Sequence, residues 1–123
     1  MAARKILIVE DEFLIRMTLS EALSDDGFEV IEAGNGEEAI EAMTPDVAVL
    51  VTDMQLPGGM DGAEVARRAR AAQPALQVIY MTGRPESVAA LTTPRDAFIA
   101  KPYLPSEVCA TVHRLLGSQA RGG

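Results

Sequence analysis

The chain has 123 residues, 48% of them hydrophobic, with 18 acidic and 11 basic side chains and a formal net charge of −7. One domain of this length buries roughly two thirds of its unfolded surface and needs no staples, and the single cysteine, Cys109, can form no internal disulfide, which suits a reducing cytoplasm. The acidic balance opposes direct nucleic-acid contact; no apolar run nears the roughly 20 residues that span a bilayer; and Ile6 to Val9, following Met1-Ala2-Ala3-Arg4-Lys5, is too short for a secretory core.

In chain order, Ile6-Leu7-Ile8-Val9 is a continuous apolar run, the pattern of a strand covered on both faces. Ile15, Leu19, Ala22 and Leu23 then form one stripe at helical spacing. Phe28-Glu29-Val30-Ile31-Glu32-Ala33 mixes acidic with apolar residues, which suits an edge strand. Asn35 followed by Glu38 predicts a capping box ahead of Ala39, Ala42 and Met43. Val47-Ala48-Val49-Leu50-Val51 is the third apolar run. Val65, Ala66 and Ala69 predict the third helix, with Arg67, Arg68 and Arg70 turned to solvent. Val78-Ile79-Tyr80-Met81 is the fourth strand, followed by a short, weakly patterned helix near Glu86 to Leu91 and a last strand at Ala97-Phe98-Ile99-Ala100. Leu104, Val108, Val112 and Leu115 give the final stripe, with Pro105 near its start. Residues 1–116 are the expected domain, and 117–123, small and polar, a flexible C-terminal tail. Five strands alternating with five helices imply an α/β fold, a parallel sheet wound on both faces.

In such sheets ligands bind at the carboxyl ends of the strands. The residues there are Glu10-Asp11-Glu12 after the first strand, Asp53 after the third, Thr82-Gly83 after the fourth and Lys101-Pro102 after the fifth. Carboxylates brought together repel, which raises the pKa of one of them unless a cation intervenes. Mg²⁺ takes oxygen ligands and needs only one or two carboxylates. Lys101 and Thr82 add a fixed positive charge and a hydroxyl, which together suit the oxygens of a phosphoryl group. Carboxylates serve as nucleophiles in aspartyl-phosphate chemistry. On these grounds alone the site is an acidic metal site with a phosphate acceptor, and the acceptor carboxylate stays open.

Ile8-Val9-Glu10-Asp11-Glu12, then Asp53 with Pro57 and Asp61-Gly62, then Thr82-Gly83, then Lys101-Pro102 resembles the signature of the response-regulator receiver domains, over about Lys5 to Leu116. The resemblance implies a flavodoxin-like (βα)5 fold with strand order 2-1-3-4-5. It also implies a single-domain switch of two-component phosphorelay signalling, catalysing its own phosphorylation and dephosphorylation. Asp53 matches the phosphoacceptor, Asp11 the direct metal ligand and Glu10 its neighbour acting through a metal-bound water. Gln55 matches the position whose backbone carbonyl binds the metal, Mg²⁺ or another divalent cation such as Mn²⁺. Thr82 and Lys101 match the residues that bind the phosphoryl group, and Phe98 matches the aromatic switch position. Pro102 matches the proline after a cis peptide that points Lys101 inward. The implied partners are a histidine kinase or phosphotransfer protein and a downstream protein, in the cytoplasm, with no direct nucleic acid and no membrane.

Two features depart from the pattern. Pro57-Gly58-Gly59-Met60-Asp61-Gly62 is one residue longer than usual, with glycines able to take φ > 0. The stretch from Thr82 to Lys101, bracketed by Pro85 and Pro94, is about one helical turn short. That shortening supports an alternative, a phosphorylation-independent binding module of the same fold. A hydrolase with an aspartyl-phosphate intermediate would need a substrate cap for which no residues remain. His113 is expected at the surface, Cys109 inert and the methionines in packing roles.

Overall fold

Successive strand residues point to opposite faces of a sheet, and in this chain both sets are apolar. In β1 (Lys5–Val9) Ile6 and Ile8 enter one buried cluster, and Leu7 and Val9 another. The division repeats in β4 (Gln77–Thr82), where Ile79 and Met81 part from Val78 and Tyr80. Such strands need cover on both sides and take central places; β1, β3 (Val47–Asp53) and β4 hold them. β2 (Glu29–Ala33) and β5 (Asp96–Ala100), with polar or exposed positions, form the edges. The computed structural model describes residues 4–84 and 95–122 and shows an all-parallel sheet in the order β2-β1-β3-β4-β5. The helix expected near Glu86 to Leu91 and the shortened stretch around it lie outside the described residues.

α1 (Phe13–Asp25) and α4 (Pro105–Gly122) cover one face through Leu19, Leu23, Val108 and Val112. α2 (Gly36–Ala42) and α3 (Gly62–Ala72) cover the other through Ala39, Val65, Ala66 and Ala69. Leu19 and Leu23, almost fully buried, each contribute about 1.5–3 kcal/mol of apolar transfer energy. The Asn35 carboxamide oxygen accepts from the Glu38 N–H at 2.8 Å, as the cap predicts. The Glu38 carboxylate reaches back to the Gly34 N–H at 2.7 Å, one residue short of the reciprocal capping-box bond. The chain leaves β1 for β2 on one side, then returns to β3 on the other. This reversal opens a crevice at the carboxyl ends of β1 and β3.

Several expectations need correction. Asp53 and Thr82 are the last residues of β3 and β4 rather than the first beyond them. Leu104 precedes α4 and is exposed, because the stripe is completed instead by Leu116 at the other end. The last helix itself runs from Pro105 to Gly122. Arg70 does not face solvent. Its guanidinium donates to the Leu76 carbonyl at 3.0 and 3.2 Å and pairs with Asp96, whose carboxylate is wholly buried. A buried carboxylate needs a cation, and a long side chain at the end of α3 can lay its stem over the core to supply one. Arg67 and Arg68 do face outward, both paired with Glu64. His113 is half exposed in mid-helix, 3.0 Å from Asp26, and Cys109 is buried in the core.

Candidate functional site

Three strand ends place the charges. Glu10 follows β1, tied by its N–H to the Ala33 carbonyl (3.0 Å), while its carbonyl accepts from Arg16 (2.7 Å). One Glu10 oxygen accepts from the Glu12 N–H at 3.0 Å. The other, Oε1, is buried with no partner among the described residues. Asp53 ends β3; its Oδ1 accepts from the Gln55 N–H at 3.0 Å and its Oδ2 pairs with the Lys101 ammonium. Glu10, Asp11 and Asp53 each offer a carboxylate oxygen, all within 4.8 Å of one another. Glu10 is 1% exposed, Asp53 4%, and Asp11 open to solvent.

Lys101 is positioned by β4, since its N–H donates to the Thr82 carbonyl at 2.8 Å. The Lys101–Pro102 peptide is cis, as the resemblance implies. The Thr82 hydroxyl oxygen accepts from the Arg84 N–H at 2.9 Å, which leaves its own proton to donate. Asp53, Gln55, Thr82 and Lys101 line one cleft of about 680 Å³ together with Met54, Asp61 and Arg84. Phe98 is not among its lining residues. It sits on β5 opposite Tyr80 and is 42% exposed.

Burial pushes the Glu10 carboxyl up to about 7, with the Asp11 carboxyl and the Asp53 charge adding to the rise and the Glu12 N–H and Lys101 opposing it. One lysine does not neutralise three clustered carboxylates. A hard cation suits the residue: the donors are all oxygens, and Glu10 Oε1 is a buried acceptor lacking a donor.

The loop after β3 holds Asp53 from behind. Gly58 takes φ +90°, which lets the longer loop turn back. The Gly62 N–H donates to the Met54 carbonyl at 2.9 Å. A Cβ at Gly62 would collide with the Asp53 carbonyl oxygen and stand 3.0 Å from Met54 Cα, backbone that cannot yield as a side-chain tip can. Gly62→Ala should therefore cost about 2–3 kcal/mol, read as a lower urea midpoint at unchanged slope. An alanine variant as stable as the parent would show that α3 can shift freely.

The sequence signature includes Asp53, Gly62, Thr82 and Lys101 but misses two residues that support the site: Arg16, which bonds the Glu10 carbonyl, and Tyr103. Tyr103 stands two residues after Lys101, and its hydroxyl is buried without a partner among the described residues. Arg16 lies on the Leu19 side of an otherwise apolar-looking helix, and no spacing rule marks it.

A parallel sheet in this order, with clustered carboxylates and a lysine at its switch point, defines a domain built to handle a phosphoryl group beside a cation. The family model of the response regulator receiver domain matches residues 6–113, and the chain belongs to that family. It is 38% identical over 118 residues to transcriptional regulatory protein SrrA of Staphylococcus aureus (strain NCTC 8325 / PS 47), covering 93% of this chain and 48% of SrrA. It is 35% identical over 120 residues to sensor kinase CckA of Brucella abortus (strain 2308), covering 93% of this chain and 13% of CckA. The chain thus spans about half of one relative and a small part of the other. Among solved structures, a response regulator receiver protein from Sinorhizobium medicae WSM419 superposes with TM-score 0.86 at 28% identity, over 94% of this chain and 95% of that one. A CheY-like receiver domain from Methanospirillum hungatei JF-1 gives 0.86 at 28% identity, over 99% and 100%. Receiver domains bind Mg²⁺ at an acidic pocket, and Glu10, Asp11 and Asp53 form an acidic pocket here. No described helix is long and apolar enough to cross a membrane.

Proposed function

We propose that Asp53 accepts a phosphoryl group from the phosphohistidine of a histidine kinase or phosphotransfer protein in the cytoplasm. The observation that carries the reading is the buried Asp53 carboxylate, paired with Lys101 and set within 4.8 Å of an oxygen of each of two further carboxylates, Glu10 and Asp11. Asp11, Asp53 and the Gln55 carbonyl would hold Mg²⁺ or a similar divalent cation, with Glu10 acting through a bound water. When bound, that cation supplies positive charge opposite the transferred oxygens.

An Asp53 oxygen attacks phosphorus in line, the P–N bond breaks, and its electron pair leaves on the donor imidazole. Lys101 shifts its pairing to a phosphoryl oxygen, and the Thr82 hydroxyl donates to another. Phe98 then moves toward the space that Thr82 vacates. A hydrogen bond to a charged group contributes about 1.5–3 kcal/mol, whereas turning a 1:99 population into 99:1 needs about 5.5 kcal/mol. Thr82 alone produces only a partial shift, and a downstream protein that binds the active form supplies the rest. The net charge of −7 favours a protein over a nucleic acid as that partner.

Intact mass after incubation with a small-molecule phosphodonor tests the reading. One added phosphoryl group that requires Mg²⁺ supports it. No gain in any condition leaves the phosphorylation-independent binding module in its place.

Metal and pH should act together on stability. The Glu10 value of about 7 in the fold stands above the ordinary 4.5. Between those values the folded chain binds the proton more tightly, so metal-free stability falls as pH rises through that window. A cation that binds only the folded chain offsets the repulsion where Glu10 is charged. Millimolar Mg²⁺ should therefore raise the melting midpoint more at about pH 8 than at about pH 6. An equal increment at both would show that Glu10 does not face the cation.

A further inference from the structure

Two buried polar atoms near the cleft have no partner among the described residues: the Glu10 carboxylate oxygen Oε1, an acceptor, and the Tyr103 hydroxyl, a donor. The two needs are complementary, and an unpaired buried donor or acceptor is costly. Tyr103 follows the Lys101–Pro102 cis peptide, and its ring packs against the Leu19 and Val108 cluster under the β5–α4 connection. It lines an apolar groove with Glu12 and Lys101, two residues that border the acidic pocket. The carboxylates of Glu10, Asp53 and Glu12 act on its hydroxyl, and together with the larger effect of burial they push it up to about 12. The phenol therefore keeps its proton across the neutral range and stays a donor.

We propose that Tyr103 is a positioning residue of the metal site, its hydroxyl donating across one bridging water to Glu10 Oε1 and so fixing the orientation of that carboxylate toward the cation. The inference rests on the receiver reading of the site. An ordered water bridges buried groups that lack partners, here one donor and one acceptor, and such outer-shell donors orient the groups that face a metal. The rest of the ring is core packing, which phenylalanine would supply equally well.

Tyr103→Phe removes the hydroxyl alone. The chain has no tryptophan and two tyrosines, Tyr80 and Tyr103, so tyrosine emission reports on Tyr103 once Tyr80→Phe is made. Mg²⁺ titrations by calorimetry and by emission should be run on the full chain, Tyr103→Phe and Tyr80→Phe, with melting midpoints taken without metal. The expected result is a roughly tenfold weaker Mg²⁺ dissociation constant for Tyr103→Phe, with its metal-free midpoint unchanged. The Mg²⁺-induced emission change should be kept in Tyr80→Phe and lost in Tyr103→Phe. A Tyr103→Phe chain that binds Mg²⁺ as tightly as the parent overturns the positioning role while leaving the receiver reading intact. So does a lowered midpoint with unchanged affinity, which is the mark of a packing role only. A parent chain that binds no Mg²⁺ overturns both.

Discussion

Asp53→Asn should fold, melt close to the parent, and take up no phosphoryl group. Asparagine keeps the shape of the side chain and an oxygen that can accept the Gln55 N–H now bound at 3.0 Å. It lacks the anionic oxygen that must attack phosphorus, and no neighbouring group replaces it in place. Asp11 is exposed, and Glu10 is buried with one oxygen already bonded to the Glu12 N–H. Neither is held by Lys101, which pairs with Asp53. On stability two changes oppose each other. The pairing with Lys101 is lost, while the repulsion of Asp53 on Glu10 and Asp11 is relieved. Lys101 is about a third exposed, so the lost pairing costs little. Intact mass and a melting curve check both halves. Phosphorylation of the asparagine variant at the parent's level would move the acceptor to another carboxylate.

Arg70→Met should lower stability by about 3 kcal/mol, near the low end of the cost of breaking a buried ion pair on one side. In a domain of this size that is a fall of about 10 °C in melting midpoint. The Asp96 carboxylate is fully buried, and the guanidinium that pairs with it also donates twice to the Leu76 carbonyl. Methionine keeps the stem that lies over the core but offers no donor and no charge. The loss falls where α3 meets the start of β5, the strand that leads to Lys101. Adding Asp96→Asn to Arg70→Met should recover a good part of the loss, because the buried charge goes with its partner. A single variant within about 0.5 kcal/mol of the parent, the size of ordinary surface substitutions, would return Arg70 to the solvated face that its neighbours Arg67 and Arg68 occupy.

Both predictions bear on what the residue order could reveal. The charged and hydroxyl groups of the candidate site were legible because they stand at strand ends: Glu10 and Asp11 follow β1, Asp53 and Thr82 end β3 and β4, and Lys101 follows β5. The topology then has only to bring those ends together. Arg70 was misread because a single helix offers no sign of a buried carboxylate 26 residues further on. Asp96 stands immediately before the last apolar run, far from Arg70 in the sequence. Leu104 was misread for the converse reason, a periodic match at a position where α4 has not begun.

By itself the sequence determined the alternation of strands and helices that makes a parallel sheet, the place of β2 at an edge, and the identity of the charged groups at the strand ends. It could do so because hydrophobic period and strand-end polarity are local properties. Only the tertiary structure decided which carboxylate pairs with Lys101, that Glu10 is buried while Asp11 is open, and that Gly62 must lack a side chain. It likewise decided that Arg70 reaches Asp96 and that the Tyr103 hydroxyl is buried beside the acidic pocket. These depend on distances between segments far apart in the chain, and on burial that repels charge until a partner is found. Both are set when the strands pack side by side.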